Sequence, residues 1–385
     1  MTLKILVVDD EPDLEPLILQ RFRRGIRANE MSFAFARDGE EALRKLESDP
    51  DIEVVLSDIN MPVMDGLALL ARLNEMPRLL KTVMVSAYAD MTNLRVAMNR
   101  GAYDFVTKPI DFEDLEATIL KTARELETLR EARRARERLA DIDAELGVAA
   151  KIQRSLLPEA LPASAGVDIA AVMLPARSVS GDFYDFFRIA PGRVGFVMGD
   201  VSGKGIPAAL FMAVARTVLR STALHGASPG ECLSAVNRIL VPQSGGMMYV
   251  TLFYGILDTN AGTLTWSVGG HTPPWLLPAC GEPHQIEGPR GFMVGMFDGS
   301  SYQSTEAPLR PGDTILVHTD GITDAENAHH EMFGKARLKA TIESIGAVEV
   351  AGVAEHILSA VQHFTAGEAQ ADDVTLLAVR FGHAA

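Results

Sequence analysis

Two sets of carboxylates in this sequence stand beside residues that would let them do chemistry. The first set comprises Asp9 and Asp10, then Asp58 in Ser57-Asp58-Ile59-Asn60-Met61-Pro62-Val63-Met64-Asp65-Gly66, the hydroxyl of Ser86, and Lys108 in Thr107-Lys108-Pro109. Carboxylates gathered in one place repel one another unless a hard divalent cation joins them, and Mg²⁺ accepts such oxygens. An ammonium and a hydroxyl beside one carboxylate match what the oxygens of an acyl phosphate require.

The second set lies further along the chain. It comprises Asp182 in Ser180-Gly181-Asp182-Phe183-Tyr184-Asp185, Asp200 in Met198-Gly199-Asp200-Val201-Ser202-Gly203-Lys204-Gly205, Asp320 in His318-Thr319-Asp320-Gly321, and the pair in Ala371-Asp372-Asp373-Val374-Thr375. Glycine beside a carboxylate lets backbone and ligand approach closely. Oxygen-only ligand sets favour Mg²⁺ or Mn²⁺ over zinc. Two such ions about 3.5–4 Å apart can clamp a phosphoryl group and lower the pKa of a water between them.

Other readings of these runs fit less well. Gly199 to Gly205 looks like a phosphate loop, but it lacks the earlier glycine and has Gly205 where Ser or Thr should follow the lysine. Ser202 is not within Gly-x-Ser-x-Gly, so a nucleophile elbow is unsupported. His271, in Gly269-Gly270-His271-Thr272-Pro273-Pro274, could donate a proton, but glycine and proline on both sides favour a structural turn. His329 and His330 lie in a polar loop and carry no expected role.

Positioning the first set requires parallel strands. Residues 1–110 alternate short apolar runs (Lys4–Val8, Ser32–Ala36, Glu53–Ser57, Thr82–Ser86, Asp104–Val106) with helical patterns near 13–27, 39–48, 66–75 and 91–100. Alternating βα units predict a doubly wound, five-stranded parallel sheet, with chemistry at the carboxyl ends of the strands. Asp9-Asp10, Asp58, Ser86 and Lys108 all fall at those ends.

The next segment differs in character. From Asp111 to Leu146 there is no proline or glycine, and no aromatic follows Phe112. Leu115, Ile119, Thr122, Leu126 and Leu129 follow a 4-3-4-3 spacing, which resumes at Leu139, Ile142 and Leu146. Between these stretches Arg130 to Arg138 is polar, with Glu131 and Glu137 interleaved, as on a solvated face. The pattern predicts one long helix, either a coiled coil with a weak middle that pairs with a second copy or a single solvated connecting helix.

Beyond Pro158 strand-like runs dominate: Val167–Leu174, Val194–Met198, Tyr249–Leu257, Thr263–Val268, Thr314–His318 and Val374–Phe381. Helical patterns lie at Pro207–Leu224, Pro229–Leu240, Lys335–Ile345 and Val348–Phe364. Strands in pairs with helices grouped between them predict an α+β sandwich.

Composition excludes several classes. The chain has 385 residues, which suggests two or three domains at about 150 each. Thirty-six basic against 51 acidic side chains give a formal charge of −15, which disfavours nucleic-acid and anionic-membrane partners. Two cysteines, Cys232 and Cys280, can form neither a disulfide framework nor a four-thiolate zinc site, so a reducing cytoplasm is expected. Met1 leads into Thr2-Leu3-Lys4-Ile5 with no signal-peptide core. The uncharged stretch Ile239 to Leu257 is interrupted by Pro242-Gln243-Ser244-Gly245-Gly246, so no membrane span is expected.

Over about residues 1–125 the sequence resembles the response-regulator receiver domain, since the acidic pair, the Asp58–Gly66 run, Ser86 and Lys108-Pro109 occur in order. The resemblance implies that Asp58 accepts a phosphoryl group from a sensor histidine kinase. It implies Mg²⁺ bound by Asp10, Asp58 and the Asn60 carbonyl with Asp9 close by. Ser86 and Lys108 would contact the phosphoryl group, and Phe105 would be the aromatic that changes rotamer.

From Lys151 to Phe381 the sequence resembles the metal-dependent PPM (type 2C) serine/threonine phosphatases, in particular their bacterial stage II sporulation E branch. The resemblance rests on Ile152–Pro158, Gly181–Asp185, Gly199–Leu210, Gly270–Pro274, Thr319–Ala325 and Asp372–Thr375. It implies an α-β-β-α sandwich with two Mn²⁺ or Mg²⁺ ions. Asp200 would bridge them, Asp182 and the Val201 carbonyl would complete one site, and Asp320 with Asp372 the other. The neighbouring Asp373 is a further candidate ligand, though the family pattern favours Asp372. Ser180 replaces the branch's first glycine, and Gly291–Gly295 departs from its usual Pro-Leu before glycine. The arginine that eukaryotic members use to hold phosphate has no evident counterpart, which leaves substrate anchoring unassigned.

The expected organisation is a receiver domain over 1–123, a helical linker over 124–153 and a phosphatase domain over 154–385. The implied substrate is an anti-sigma factor antagonist phosphorylated on Ser or Thr. The alternative is a catalytically silent adaptor of the same fold that sequesters a sigma-pathway partner; an adaptor has no need to keep Asp182, Asp200, Asp320 and Asp372 together.

Overall fold

Apolar strands alternate with capped amphipathic helices through the first third of the chain. The computed structural model describes residues 2–87, 91–159, 166–346 and 348–382. It divides into two units, residues 1–141 and 142–385. The outermost expected domain ends, at residues 1 and 385, lie outside the described residues.

The first unit contains β1 (Leu3–Val8), α1 (Leu14–Arg21), α2 (Arg23–Arg27), β2 (Met31–Ala36), α3 (Gly39–Ser48), β3 (Ile52–Asp58), α4 (Gly66–Asn74), β4 (Lys81–Ala87), α5 (Met91–Asn99) and β5 (Asp104–Lys108). The strands form one parallel sheet in the order β2-β1-β3-β4-β5, as the alternation predicts. Alternate residues of each strand serve opposite faces. Ile5, Val7, Val54 and Leu56 pack with Ile18, Leu115 and Ile119, while Leu6, Val8 and Val55 pack with Ala42, Leu46 and Leu69. Each fully buried Leu or Ile contributes about 1.5–3 kcal/mol. Asp38 and Asp65 cap α3 and α4 by accepting the Glu41 and Ala68 amides at 2.8 and 2.7 Å. The helix expected over 13–27 is instead two, because Phe22 leaves helical geometry (φ −90°, ψ 11°) and buries its ring.

Helix α6 (Phe112–Leu156) has 45 residues, about 68 Å at 1.5 Å per residue. It continues ten residues past Leu146, through Gly147. One glycine costs about 1 kcal/mol in a helix, less than the good helix formers around it and the docking of its end return. Gln153, buried at that end, donates to the Ser180 carbonyl at 2.7 Å and accepts the Ser180 amide at 2.9 Å. By contrast Leu139, Ile142, Val148 and Ile152 are exposed.

The second unit contains β6 (Val167–Leu174), β7 (Phe183–Ala190), β8 (Arg193–Val201), α7 (Ile206–Ala223), α8 (Pro229–Ser244), β9 (Val250–Asp258), β10 (Thr263–Gly269), β11 (Trp275–Leu277), β12 (His284–Gln285), β13 (Arg290–Gly291), β14 (Thr305–Pro308), β15 (Thr314–His318), α9 (Gly334–Glu343), α10 (Val350–Thr365) and β16 (Val374–Phe381). One sheet runs β13-β10-β9-β8-β7 with β14 beside β10; the other runs β12-β11-β15-β16-β6. Phe186, Phe196, Phe253 and Trp266 of the first meet Val317, Leu377 and Val379 of the second in a shared core. Helices α7 and α8 cover the first sheet through Met212, Ala215, Leu219 and Leu233. Helices α9 and α10 cover the second through Leu338, Ile342, Val353 and Ile357. The architecture is the α-β-β-α sandwich.

Strands β7, β11, β12, β13 and β14 are additions to the expected set. Helix α8 passes through Pro242, and the chain turns only at Gly245 and Gly246, both at positive φ. Proline there forfeits a single bond near the end of the helix. Among the described residues no helix is long and apolar enough to cross a membrane.

Candidate functional site

Strand ends bring the first set together. Asp9 and Asp10 follow β1, Asp58 closes β3, and their carboxylate oxygens lie within 4.8 Å of one another. Lys108 closes β5, and its Nζ lies 2.7 Å from Asp58, 2.9 Å from Asp9 and 2.8 Å from Glu11. Burial and then the neighbouring Asp58 charge raise the Asp9 carboxyl, against the pull of Lys108. Burial pulls the Lys108 ammonium down, but the hydrogen bonds to Asp58, Glu11 and Asp9 outweigh it and hold Lys108 above the ordinary lysine range. The Asn60 amide donates to Asp58 Oδ1 at 3.3 Å. The buried Ser86 follows Val85, the β4 partner of Asp58, and Phe105 stands partly exposed on β5. Gly66 is required here, because a Cβ would lie 2.1 Å from the Asp58 carbonyl oxygen. An oxygen-only triad with one lysine fits a hard cation beside a phosphoryl acceptor. Glu11 was not singled out by sequence reasoning; its place two residues after Asp9 was the available signal.

The second set converges across the two sheets. Asp182 is 2% exposed, and its Oδ2 accepts the hydroxyls of Thr319 at 2.8 Å and Thr375 at 2.6 Å. Burial and then the Asp200 charge push its carboxyl well above the carboxylate range. Asp200, on β8, rises to about 7 through burial and the charges of Asp320 and Asp372, although a hydrogen bond with Asp182 opposes the rise. Asp320 begins the turn after β15 and is raised by partial burial, then by Asp324 and Asp372. The Val201 carbonyl oxygen comes so near Gly181 that a Cβ there would stand 3.0 Å away. Gly321 allows closer packing still: its Cβ would meet the Asp373 carbonyl at 2.0 Å.

The two adjacent aspartates diverge. Asp372 is partly exposed and pairs with Lys204 Nζ at 3.0 Å. Asp373 is buried, and accepts the Ala176 amide at 2.7 Å, the Ser180 hydroxyl at 2.7 Å and the Gly181 amide at 2.8 Å. Ser180, which replaces the branch's glycine, thereby gains a role. Asp185 turns the other way, to Arg216 at 3.0 Å and Arg220 at 2.6 Å on α7. His271 is enclosed, bonded to Thr251 at 2.8 Å, and burial with the nearby His318 lowers it to about 3, as a structural position would have it. Thr319, Thr375 and Lys204 were missed as contributors; the hydroxyls beside the aspartates were the signal.

Among the described residues only Asp9, Asp10 and Asp58 bring three such ligand atoms within 4.8 Å. The second set is more widely spaced, and its mutual repulsion and all-oxygen chemistry suit more than one divalent ion.

Comparison with known proteins gives the family. Residues 190–382 match the model for stage II sporulation protein E (SpoIIE), and residues 5–120 match the response regulator receiver domain. The chain belongs to the SpoIIE family and carries a receiver domain ahead of it. Protein IcfG of Synechocystis sp. is 32% identical over 264 residues, covering 61% of this chain and 41% of IcfG. Phosphoserine phosphatase RsbU of Bacillus subtilis is 29% identical over 184 residues, covering 48% of this chain and 55% of RsbU. The SiaA-PP2C domain of Pseudomonas aeruginosa shares the fold, with a TM-score of 0.57 at 24% identity over 63% of this chain and 98% of that one. The chain spans about half the length of the curated relatives it matches.

Proposed function

We propose that this chain is a response regulator whose output is a metal-dependent phosphoserine/phosphothreonine protein phosphatase. The observation that carries the reading is Asp200, held at about 7 by burial and by the Asp320 and Asp372 charges beside it. A fold that needed Asp200 only for structure would pair it with a cation or a hydroxyl, as it does Asp185 and Asp373.

Asp182, Asp200 and the Val201 carbonyl would hold one ion, and Asp200, Asp320 and Asp372 the other. What Mg²⁺ or Mn²⁺ supplies there is an acidified water and charge neutralisation for a phosphoryl group. Thr319 and Thr375 fix the Asp182 carboxylate. Asp373 is a positioning residue, its oxygens already taken by the loop that carries Ser180 and Gly181; Asp372 is the ligand of the pair. Phosphoryl transfer needs little beyond such positioning and charge stabilisation.

On the receiver, Asp58 is the phosphoryl acceptor for a sensor histidine kinase, with Mg²⁺ on Asp9, Asp10, Asp58 and Asn60, and with Ser86, Lys108 and Phe105 as its switch. The division of the chain near residue 141 falls inside the expected linker, 124–153, between the receiver (1–123) and the phosphatase domain (154–385). The exposed apolar positions Leu139, Ile142, Val148 and Ile152 support homodimerisation through α6. The proposed substrate, in the cytoplasm, is a phosphorylated anti-sigma factor antagonist, a reading that the similarity to RsbU supports.

The test is Mn²⁺-dependent hydrolysis of p-nitrophenyl phosphate by the full chain, with Asp200→Ala as control. Turnover lost in the variant is expected. Its absence from both proteins would overturn the enzyme reading in favour of a silent adaptor.

A further inference from the structure

A cavity of about 380 Å³ opens beside α9, at the low end of the range for small-ligand sites. Its walls include His271 and Trp275 from the segment after β10, Arg290 of β13, His318 at the end of β15, and Lys335 and Lys339 of α9. None of these is a member of either carboxylate cluster.

No Asp or Glu lines this cavity, whereas three cations do, in a chain of formal charge −15. Among the described residues Arg290 and Lys335 form no ion pair; Lys339 has an exposed one with Glu343 at 3.5 Å, of little worth. Unopposed positive charge concentrated around a concavity selects an anion.

Behind the wall lie polar atoms that lack a partner and are sealed from solvent. His271, His318 and Trp275 are 7%, 2% and 6% exposed, and the Nε2 atoms of both imidazoles and the indole Nε1 make no hydrogen bond. His318 Nδ1 lies 2.9 Å from the Thr319 carbonyl, which can only accept, so Nδ1 carries the proton and Nε2 is an acceptor. The indole N–H can only donate. These sealed atoms lie out of a ligand's reach, so the three cations set the chemistry and require the ligand to be negative.

We propose that this cavity binds a small anion of the phosphate class, a hydrogen phosphate or a phosphate monoester bearing hydroxyls. Its charged oxygens face Arg290 and Lys335. His318 is followed by Thr319, whose hydroxyl holds Asp182 at 2.8 Å. Occupancy therefore bears on the residue next to one that orients the carboxylate cluster. The site stands independently of the phosphatase reading.

The test is calorimetric titration of the full chain in EDTA, at constant ionic strength, with inorganic phosphate and separately with glycerol 3-phosphate. Binding is expected to weaken at least about tenfold in Arg290→Met/Lys335→Met, which alters only exposed side chains. Asp200→Asn should bind as the parent does. Tighter binding of glycerol 3-phosphate supports an organic ester as the ligand, and equal binding supports free phosphate. No heat with either, or unchanged affinity in the double variant, overturns the site and leaves the hydrolysis assay untouched.

Discussion

The Asp373 carboxylate accepts the Ser180 hydroxyl at 2.7 Å, tying two loops 193 positions apart in sequence. With the Gly181 and Ala176 amides on the same carboxylate, this contact fixes the backbone that leads into Asp182. Asp373→Ala would strand three donors in a buried place. A loss of about 3 kcal/mol in urea unfolding is expected, with phosphatase activity lost in the folded fraction. Ser180→Gly, the branch's usual residue, should cost only about 1 kcal/mol and keep activity. Equal stability of the Asp373→Ala variant and the parent would refute the positioning role.

Asp200 makes stability depend on pH in a defined direction. Its folded value of about 7 lies above the ordinary 3.8, so the folded state binds more protons between those limits. Metal-free protein should therefore lose stability as pH climbs from about 4 to about 7 and level off above, to the extent Asp200 governs. Asp200→Asn should flatten that slope. Mn²⁺ should raise the melting temperature most near pH 8, where the cluster is ionised. Melting curves across pH, with EDTA and with Mn²⁺, check both points; a parent slope that Asp200→Asn leaves unchanged would contradict them.

Lys108 is the cation shared by Asp58, Asp9 and Glu11. Lys108→Met removes the charge that would meet a phosphoryl oxygen on Asp58 and leaves the acidic group to repel itself. Beryllofluoride should change turnover of the parent and leave both Lys108→Met and Asp58→Ala unresponsive. An equal response in Asp58→Ala would sink receiver control.

The exposed apolar positions of α6 invite a simple test of assembly. Leu139→Glu with Ile142→Glu should weaken self-association at least about tenfold in sedimentation equilibrium. Thermal stability should change little, since both side chains face solvent. A parent that sediments as a monomer at micromolar concentration would contradict the proposed dimer.

Much of this fold was legible because burial imposes periodicity. Strands β1, β3 and β16 read as apolar runs since each is buried on both faces. Strand β7 escaped notice: Phe183 to Ala190 mixes aromatics with the buried Asp185, whose ion pairs with α7 cannot be seen in sequence. Pro242 lies beyond the expected helix end at Leu240, yet the helix runs on to Ser244, because docking of the flanking turns overrides a local cost of a few kcal/mol at most. The aspartates were visible as types beside glycine. What separates Asp372 from Asp373 is orientation at the start of a strand, decided by tertiary contacts with Ala176, Ser180 and Gly181. Thr319 and Thr375 stayed silent for the same reason, since a hydroxyl gains meaning only once Asp182 is brought to it.

The paired bonds between the Gln153 amide and the main chain of Ser180 imitate one rung of a β-ladder. Their consequence is mechanical. The terminal turn of a 45-residue helix grips the peptide two residues before Asp182. Torque or a small axial slip at that end must either break both bonds or drag the Asp182 backbone with it. Replacing Gln153 with leucine would uncouple this lever while sparing the carboxylates themselves.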